Sequence, residues 1–95
     1  MVILGVDLGK ARTGVAVCDK SELLASPVEV VNEHNRERLL ERVAQLAKAR
    51  RAEQIVVGLP RNMDGSEGFQ AEDTRAFAQA LQEKAGLPVL FVDER

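Results

Sequence analysis

The sequence is poor in the residues that build disulfides and zinc sites, and it has no long apolar run. Cys18 is the only cysteine in 95 residues, so an internal disulfide is excluded. His34 is the only histidine and lacks companions at metal-ligand spacing, which gives a zinc site little support. No stretch approaches the roughly 18 apolar residues of a membrane span. Asp7 interrupts the apolar N-terminus, which is therefore too short to be the apolar core of a secretory signal peptide. We therefore expect a cytoplasmic protein, with Cys18 as a small buried hydrophobic residue in a strand.

The sequence also lacks an excess of either charge, because 13 Lys and Arg residues oppose 15 Asp and Glu residues and leave a net charge of −2. This balance neither favours nor excludes a nucleic-acid ligand. Residues 36–51 are locally basic, with six basic residues against two acids. That segment either contacts a phosphate backbone or presents a solvated helix face, and the pattern favours the solvated face. A length of 95 residues with 45% hydrophobic residues predicts one globular domain over residues 1–95.

The most informative local pattern is residues 5–14, GVDLGKARTG. An apolar run from Val2 leads to Asp7, and a glycine-bounded hairpin then turns the chain back into a second strand. An ionised Asp at the end of a buried strand requires a cation, a basic side chain or backbone N–H groups as its partner. The alternative is ordinary turn chemistry, in which Asp bonds its own backbone and Gly supplies the turn. Gly14, inside the second strand, favours close approach of another backbone or a ligand.

The remaining pattern predicts an α/β domain with a mixed sheet. In chain order, the predicted elements are strands at Val2–Val6, Thr13–Cys18 and Val28–Val31, a helix at about 35–51, a strand from Gln54 that stops at Pro60, a helix at about 66–85 and a strand at Val89–Val92. Asn32 or Asn35 caps the first helix, and Ser66 the second. The buried stripes are Leu39, Leu40, Val43, Leu46 and Ala47 in the first helix, and Phe77, Ala78, Leu81 and Ala85 in the second.

These elements form a three-stranded antiparallel meander followed by two right-handed crossovers, which predicts the strand order 3-2-1-4-5. The fourth strand lacks alternation, which is typical of an interior parallel strand covered on both faces. Ligands bind beyond the carboxyl ends of parallel strands. Asp7, the loop over residues 58–68 and the pair Asp93 and Glu94 should therefore share one rim. Only one acid of that pair should share a metal with Asp7, because adjacent strand residues alternate between faces.

Three motifs together resemble the YqgF family of bacterial ribonuclease H-like proteins. They are Gly5-x-Asp7-x-Gly9-x-x-Arg12-x-Gly14-x-Ala16, Val57-Gly58-Leu59-Pro60-x-x-x-Asp64-Gly65 and Asp93-Glu94-Arg95. The resemblance covers the whole chain and implies a ribonuclease H-like fold. It also implies a nuclease, described either as a Holliday junction resolvase or as an enzyme acting on the precursor of small-subunit ribosomal RNA. The implied cofactor is Mg²⁺ or Mn²⁺ held by carboxylates.

Carried onto this sequence, the resemblance makes Asp7 the first catalytic and metal-binding acid and Glu94 the second, with Asp93 a weaker candidate. The residues expected to contact nucleic acid are Lys10, Arg12, Arg61, Asn62 and Arg95. Lys10 and Arg12 would hold substrate phosphates, whereas Arg61, Asn62 and Asp64 either shape a groove or only build the loop. Arg95 either neutralises a phosphate or forms a structural salt bridge.

The family pattern continues beyond Asp-Glu-Arg to a helix that bears a third acid, and this sequence stops at Arg95. We therefore expect residues 1–95 to be a truncated domain that folds but lacks nuclease activity, with self-association through uncovered sheet surface. Two other functions remain open. One is a nucleotide-binding phosphotransferase of the actin and sugar-kinase type, which shares the hairpin and the strand order. The other is a non-catalytic nucleic-acid-binding module.

Overall fold

The structure, a computed structural model, describes residues 1–9, 12–19, 26–60 and 69–94. Its elements are β1 (Val2–Leu8), β2 (Thr13–Asp19), β3 (Ser26–Val31), α1 (Arg36–Ala49), β4 (Gln54–Pro60), α2 (Phe69–Ala85) and β5 (Val89–Glu94). All seven predicted elements are present in the predicted sequence order. Several bounds differ, since β1 and β5 each continue two residues further and β3 begins two residues earlier than the pattern predicts. Neither helix in these ranges is long and apolar enough to cross a membrane.

The five strands form one sheet in the order β3-β2-β1-β4-β5, which confirms the predicted order. β1 pairs antiparallel with β2, and β2 pairs antiparallel with β3. β1 and β4 pair in parallel, as do β4 and β5. The parallel strands β1, β4 and β5 therefore end at the same edge of the sheet. We call this edge the carboxyl rim.

α1 begins where the sequence provides a cap. The side chain of Asn35 accepts a hydrogen bond from the backbone N–H of Arg38 at 3.1 Å, so Asn35 is the N-cap and Asn32 is not. All five residues of the predicted apolar stripe of α1 are buried. In α2, Phe77, Ala78 and Leu81 are buried as predicted, but Ala85 is only partly buried at the helix end. The predicted cap Ser66 lies outside the described residues.

Both helices pack on one face of the sheet. The core joins alternate strand residues, such as Leu4 and Val57, to apolar residues of both helices, such as Val43 and Phe77. The prediction that β4 is covered on both faces is therefore wrong for the described residues. Two right-handed crossovers that run in the same direction along a sheet place their helices on the same side.

The other sheet face has no helix against it within the described residues, and we call it the bare face. Apolar side chains on it remain exposed, with Val30 at 58%, Leu90 at 53% and Val92 at 53%. Cys18 is partly buried rather than fully buried, and its thiol donates a long 3.5 Å hydrogen bond to the Asp19 carbonyl oxygen. The two-residue alternation of β2 accounts for this exposure, because Cys18 shares the bare face with Ala16 and Gly14.

Candidate active site at the carboxyl rim

Asp7 lies at the carboxyl rim, one residue before the end of β1. It is exposed, and it pairs across the antiparallel ladder with Gly14 of β2. The strand therefore runs past Asp7 instead of ending there, because its pairing with β2 continues to Leu8 and Thr13. Within the described residues the Asp7 carboxylate has no hydrogen bond or ion pair, so its oxygens are available to a ligand.

Glycines flank Asp7 on the neighbouring strands. Gly14 is its partner on β2, and the parallel register that pairs Val6 with Val57 places Gly58 next along β4. A Cβ atom built on Gly14 would lie 3.9 Å from the Asp7 Cβ, which is ordinary contact. Gly14 therefore leaves space beside Asp7 but is not required to avoid a clash. The absence of side chains on both sides leaves room for a ligand at the Asp7 carboxylate.

A shallow pocket of about 450 Å³ opens on the bare face beside Asp7. Its lining is mainly apolar or glycine, and Asp7 is its acid on the bare face, because the Glu29 side chain lies on the helix side of the sheet with Val15 and Val31. The lining residues are Gly5, Val6, Asp7, Gly14, Val15, Ala16, Pro27, Glu29, Val30, Val56, Gly58 and Val92. The pocket therefore offers an open apolar floor with the Asp7 carboxylate at its border.

Glu29 is the carboxylate that the sequence pattern did not reveal. Arg42 of α1 holds it with two N–H groups, its Nε at 2.9 Å from Oε2 and its Nη2 in a short contact with Oε1. The Arg42 hydrogen bonds lower the pKa of the Glu29 carboxyl below its usual 4.5. Because this pairing engages both oxygens of Glu29 on the helix side of the sheet, Asp7 is the acid available to a ligand at the pocket.

The second predicted acid lies at the same rim by its backbone position. β5 continues through Glu94, where the parallel register pairs Asp93 with Leu59 and Glu94 with Pro60. In the alternation of β5, Glu94 has the same parity as Val92, which lines the pocket beside Asp7. The assignment of Glu94 over Asp93 as the metal ligand stays a prediction.

Arg12 immediately precedes β2, and its side chain is exposed. A Cβ atom on Gly9 would lie only 2.3 Å from the Arg12 carbonyl oxygen, so the hairpin brings these two backbones into a contact that only glycine allows. The other predicted contacts, Lys10, Arg61, Asn62, Asp64 and Arg95, lie outside the described residues. Within the described ranges, no three His, Cys, Asp or Glu side chains gather as a metal site.

Comparison with known proteins identifies the family. The model of the family described as "RuvX: Holliday junction resolvase" matches residues 1–95. This chain belongs to the RuvX family. A RuvX relative from Anaeromyxobacter sp. (strain Fw109-5), named "Putative pre-16S rRNA nuclease", is 45% identical over 95 residues, which are all of this chain and 69% of the relative. A relative of the same name from Trichormus variabilis is 40% identical over 92 residues, or 97% of this chain and 61% of the relative.

The RuvX chain also resembles solved structures. One is the structure entitled "T. thermophilus RuvC in complex with Holliday junction substrate", with a TM-score of 0.72 and 22% identity. The match covers 98% of this chain and 65% of that one. At this identity the likeness shows the fold, which confirms the predicted ribonuclease H-like class. The chain spans about 61% of the length of the first curated RuvX relative.

Proposed function

We propose that this chain carries the first acid of a divalent-metal nuclease site that hydrolyses phosphodiester bonds in structured nucleic acid. The observation that carries the proposal is the exposed Asp7 carboxylate, which has no partner among the described residues and is flanked by glycine positions at the carboxyl rim. Family membership over the whole chain supports the same function. It favours the nuclease over the phosphotransferase, which the hairpin and the strand order alone leave open.

The residues at the rim suit a hard cation such as Mg²⁺ or Mn²⁺, which prefers carboxylate oxygens. Asp7 and Glu94 would hold it, with Asp93 as the weaker candidate and a third acid supplied outside residues 1–95. When bound, the metal supplies an activated water and charge stabilisation at the leaving oxygen. Arg12 and Lys10 would bind substrate phosphates beside this site, and Arg61, Asn62 and Arg95 would extend the contact.

The proposed substrate is the 5′ end of precursor 16S ribosomal RNA or a four-way DNA junction, processed in the cytoplasm. The RuvX relatives carry a name for the RNA activity, and the family description names the junction. The two substrates share the phosphodiester chemistry that a carboxylate-held metal performs. The RNA and the DNA junction differ in the shape of the surface that each would present to the carboxyl rim.

A cleavage assay with matched variants tests this function. The chain would be extended with the remaining segment of a full-length RuvX relative and assayed on precursor ribosomal RNA and four-way junctions in Mg²⁺ or Mn²⁺. Asp7→Asn removes the ligand charge at the rim, whereas Glu53→Gln removes an exposed carboxylate near the opposite end of β1. We expect cleavage to be lost with Asp7→Asn and kept with Glu53→Gln. Equal cleavage by both variants refutes the metal role of Asp7, and binding without any cleavage supports the non-catalytic module.

We also propose that the 95-residue chain self-associates through its bare face and lacks nuclease activity without the third acid. The exposed Val30, Leu90 and Val92 side chains form apolar surface on this face. Two carboxylates without a third ligand are expected to hold a metal pair weakly. Metal-dependent cleavage by residues 1–95 alone, at the rate of the extended protein, would contradict the second statement.

A further inference from the structure

Five of the six basic residues at positions 36–51 separate into two groups by their partners, and the sixth, Arg38, is exposed in the first turn of α1. Arg36 donates two hydrogen bonds to Asp73 of α2, at 3.0 and 3.3 Å, and lies over the Phe77 ring at 5.3 Å. Arg42 is paired with Glu29. These two cations therefore have structural partners that hold α1 against its neighbours.

The second group lies at the end of α1. Lys48, Arg50 and Arg51 are exposed, and within the described part of the chain none of the three has an ion pair or a side-chain hydrogen bond. The helix dipole favours cations near a helix C-terminus, which accounts for part of this clustering. It does not account for the backbone conformation of Arg51.

Arg51 has a left-handed backbone, with φ of 56°. Its N–H donates to the Lys48 carbonyl at 3.1 Å, and the Ala52 N–H donates to the Ala47 carbonyl at 2.9 Å, so Arg51 closes α1 at the position that usually holds glycine. α2 ends with a glycine in this role, Gly86, with φ of 70°. A left-handed conformation is unfavourable for any residue with a Cβ atom. An arginine held there points to a use for its side chain.

A groove of about 560 Å³ between the ends of α1 and α2 borders these cations. Lys48 and Arg51 line it together with Lys84 of α2, over an apolar floor that includes Ala47 and Ala52. Lys84 is paired with Glu37 at 3.2 Å and with Glu41, an acid that also lines the groove, at 3.8 Å. The groove therefore presents two available cations, with Arg50 beside them in sequence, and suits an anionic ligand.

The basic turn lies at the opposite end of β1 from the carboxyl rim and on the helix side of the sheet. The Glu53 N–H donates to the Val2 carbonyl at 2.9 Å, which fixes the turn at the start of β1. Asp7 lies five residues further along the same strand, or about 17 Å at roughly 3.3 Å per residue. Because the pocket beside Asp7 opens on the bare face, a nucleic acid that contacts both regions must pass around the edge of the sheet.

We propose that Lys48, Arg50 and Arg51 form a second phosphate-binding surface for the nucleic-acid substrate, remote from the Asp7 rim. The inference rests on the proposed function in taking a nucleic acid as the ligand. It concerns binding only, so it can be tested without metal and without cleavage. Each phosphate contact made by a cation adds about one unit to the slope of log affinity against log salt.

The test measures binding of the 95-residue chain and of its extended form to a labelled RNA duplex and a four-way junction in EDTA, over a salt series. The variant Lys48→Ala/Arg50→Ala/Arg51→Gly removes the basic turn. The control Arg36→Ala/Arg42→Ala/Arg75→Ala removes three cations that have partners of their own and do not line the groove, with the same change in net charge. We expect the first variant to lower the salt slope by about two to three units and the control by less than about one.

Arg51→Gly alone separates binding from folding, because it should raise the midpoint of thermal unfolding by several degrees while it weakens binding. Equal losses of salt slope in the two triple variants overturn the proposal. Unchanged nucleic-acid binding in the basic-turn variant also overturns it, and that result favours a protein ligand. If cleavage depends on Asp7 but the basic-turn variant leaves the salt slope unchanged, this inference fails and the proposed nuclease stands. A lowered slope without any cleavage overturns the nuclease alone.

Discussion

The hairpin between β1 and β2 gives the sharpest prediction, since the substitution Gly9→Ala acts on a contact with a defined distance. The added Cβ would lie 2.3 Å from the Arg12 carbonyl oxygen, whereas real Cβ contacts stay above 3.0 Å. The two backbones must therefore separate by at least 3.0 − 2.3 = 0.7 Å. This movement strains the turn and the pairing of Leu8 with Thr13 beside it.

We expect Gly9→Ala to lower the free energy of unfolding by about 2–3 kcal/mol, the sum of backbone strain and one weakened ladder hydrogen bond. For a domain of this size the total free energy of unfolding is of order 5–15 kcal/mol. The midpoint of thermal unfolding should fall by about 10–20 °C. The assay is thermal denaturation followed by far-ultraviolet circular dichroism, supported by a urea titration.

Two other glycines of the same strands provide matched controls. An added Cβ would meet only ordinary contacts, at 3.8 Å from the Ala16 carbonyl oxygen for Gly5→Ala and at 3.9 Å from the Asp7 Cβ for Gly14→Ala. We expect each to change stability by less than about 1 kcal/mol. If Gly9→Ala loses no more stability than Gly14→Ala, the close approach at the hairpin does not constrain the fold, and the reasoning fails.

Three further predictions follow from the packing and charges. Phe77→Ala empties a fully buried position in α2 and should lower the free energy of unfolding by about 3–5 kcal/mol in a urea titration; a loss below about 1 kcal/mol would contradict its place in the core. Glu29→Gln removes a carboxylate whose pKa is lowered, so the stability it contributes is present above pH 4.5 and lost as the pH falls through the native-state pKa. The difference in unfolding midpoint between wild type and Glu29→Gln should therefore shrink below pH 4.5, and a constant difference would count against the Arg42 pairing. Leu90→Lys should reduce self-association of the 95-residue chain in sedimentation velocity, and an unchanged sedimentation coefficient would remove the bare face as the contact.

Local signals predicted most of the fold. The apolar stripe of α1 and its cap depend on near neighbours in sequence, and the crossover rule then set the order of the strands. The bounds of β1 and β5 were too short because the pattern alone does not show how far a neighbouring strand continues to pair. The prediction that β4 is covered on both faces was wrong because an apolar run of β-branched residues has the same pattern whether one face is covered or two.

The candidate site was predictable to a smaller extent. Asp7 and its rim follow from a motif and a strand order, so the sequence contains enough to find them. The pairing of Glu29 with Arg42 depends on how β3 packs beside α1, and no local pattern encodes that contact. The left-handed Arg51 has no sequence signal either, since the usual indicator of that conformation is glycine.

The pocket beside Asp7 opens on the bare face of the sheet, and this shared location links two equilibria. A polypeptide segment that covers Val30 and Val92 buries apolar surface and at the same time builds a wall for the pocket, because both residues line it. By thermodynamic linkage, a ligand that binds only the walled pocket must strengthen the attachment of that cover. Conversely, a looser cover must lower the affinity for the ligand by the same factor. Covering the bare face and occupying the pocket are therefore reciprocal events with one coupling free energy.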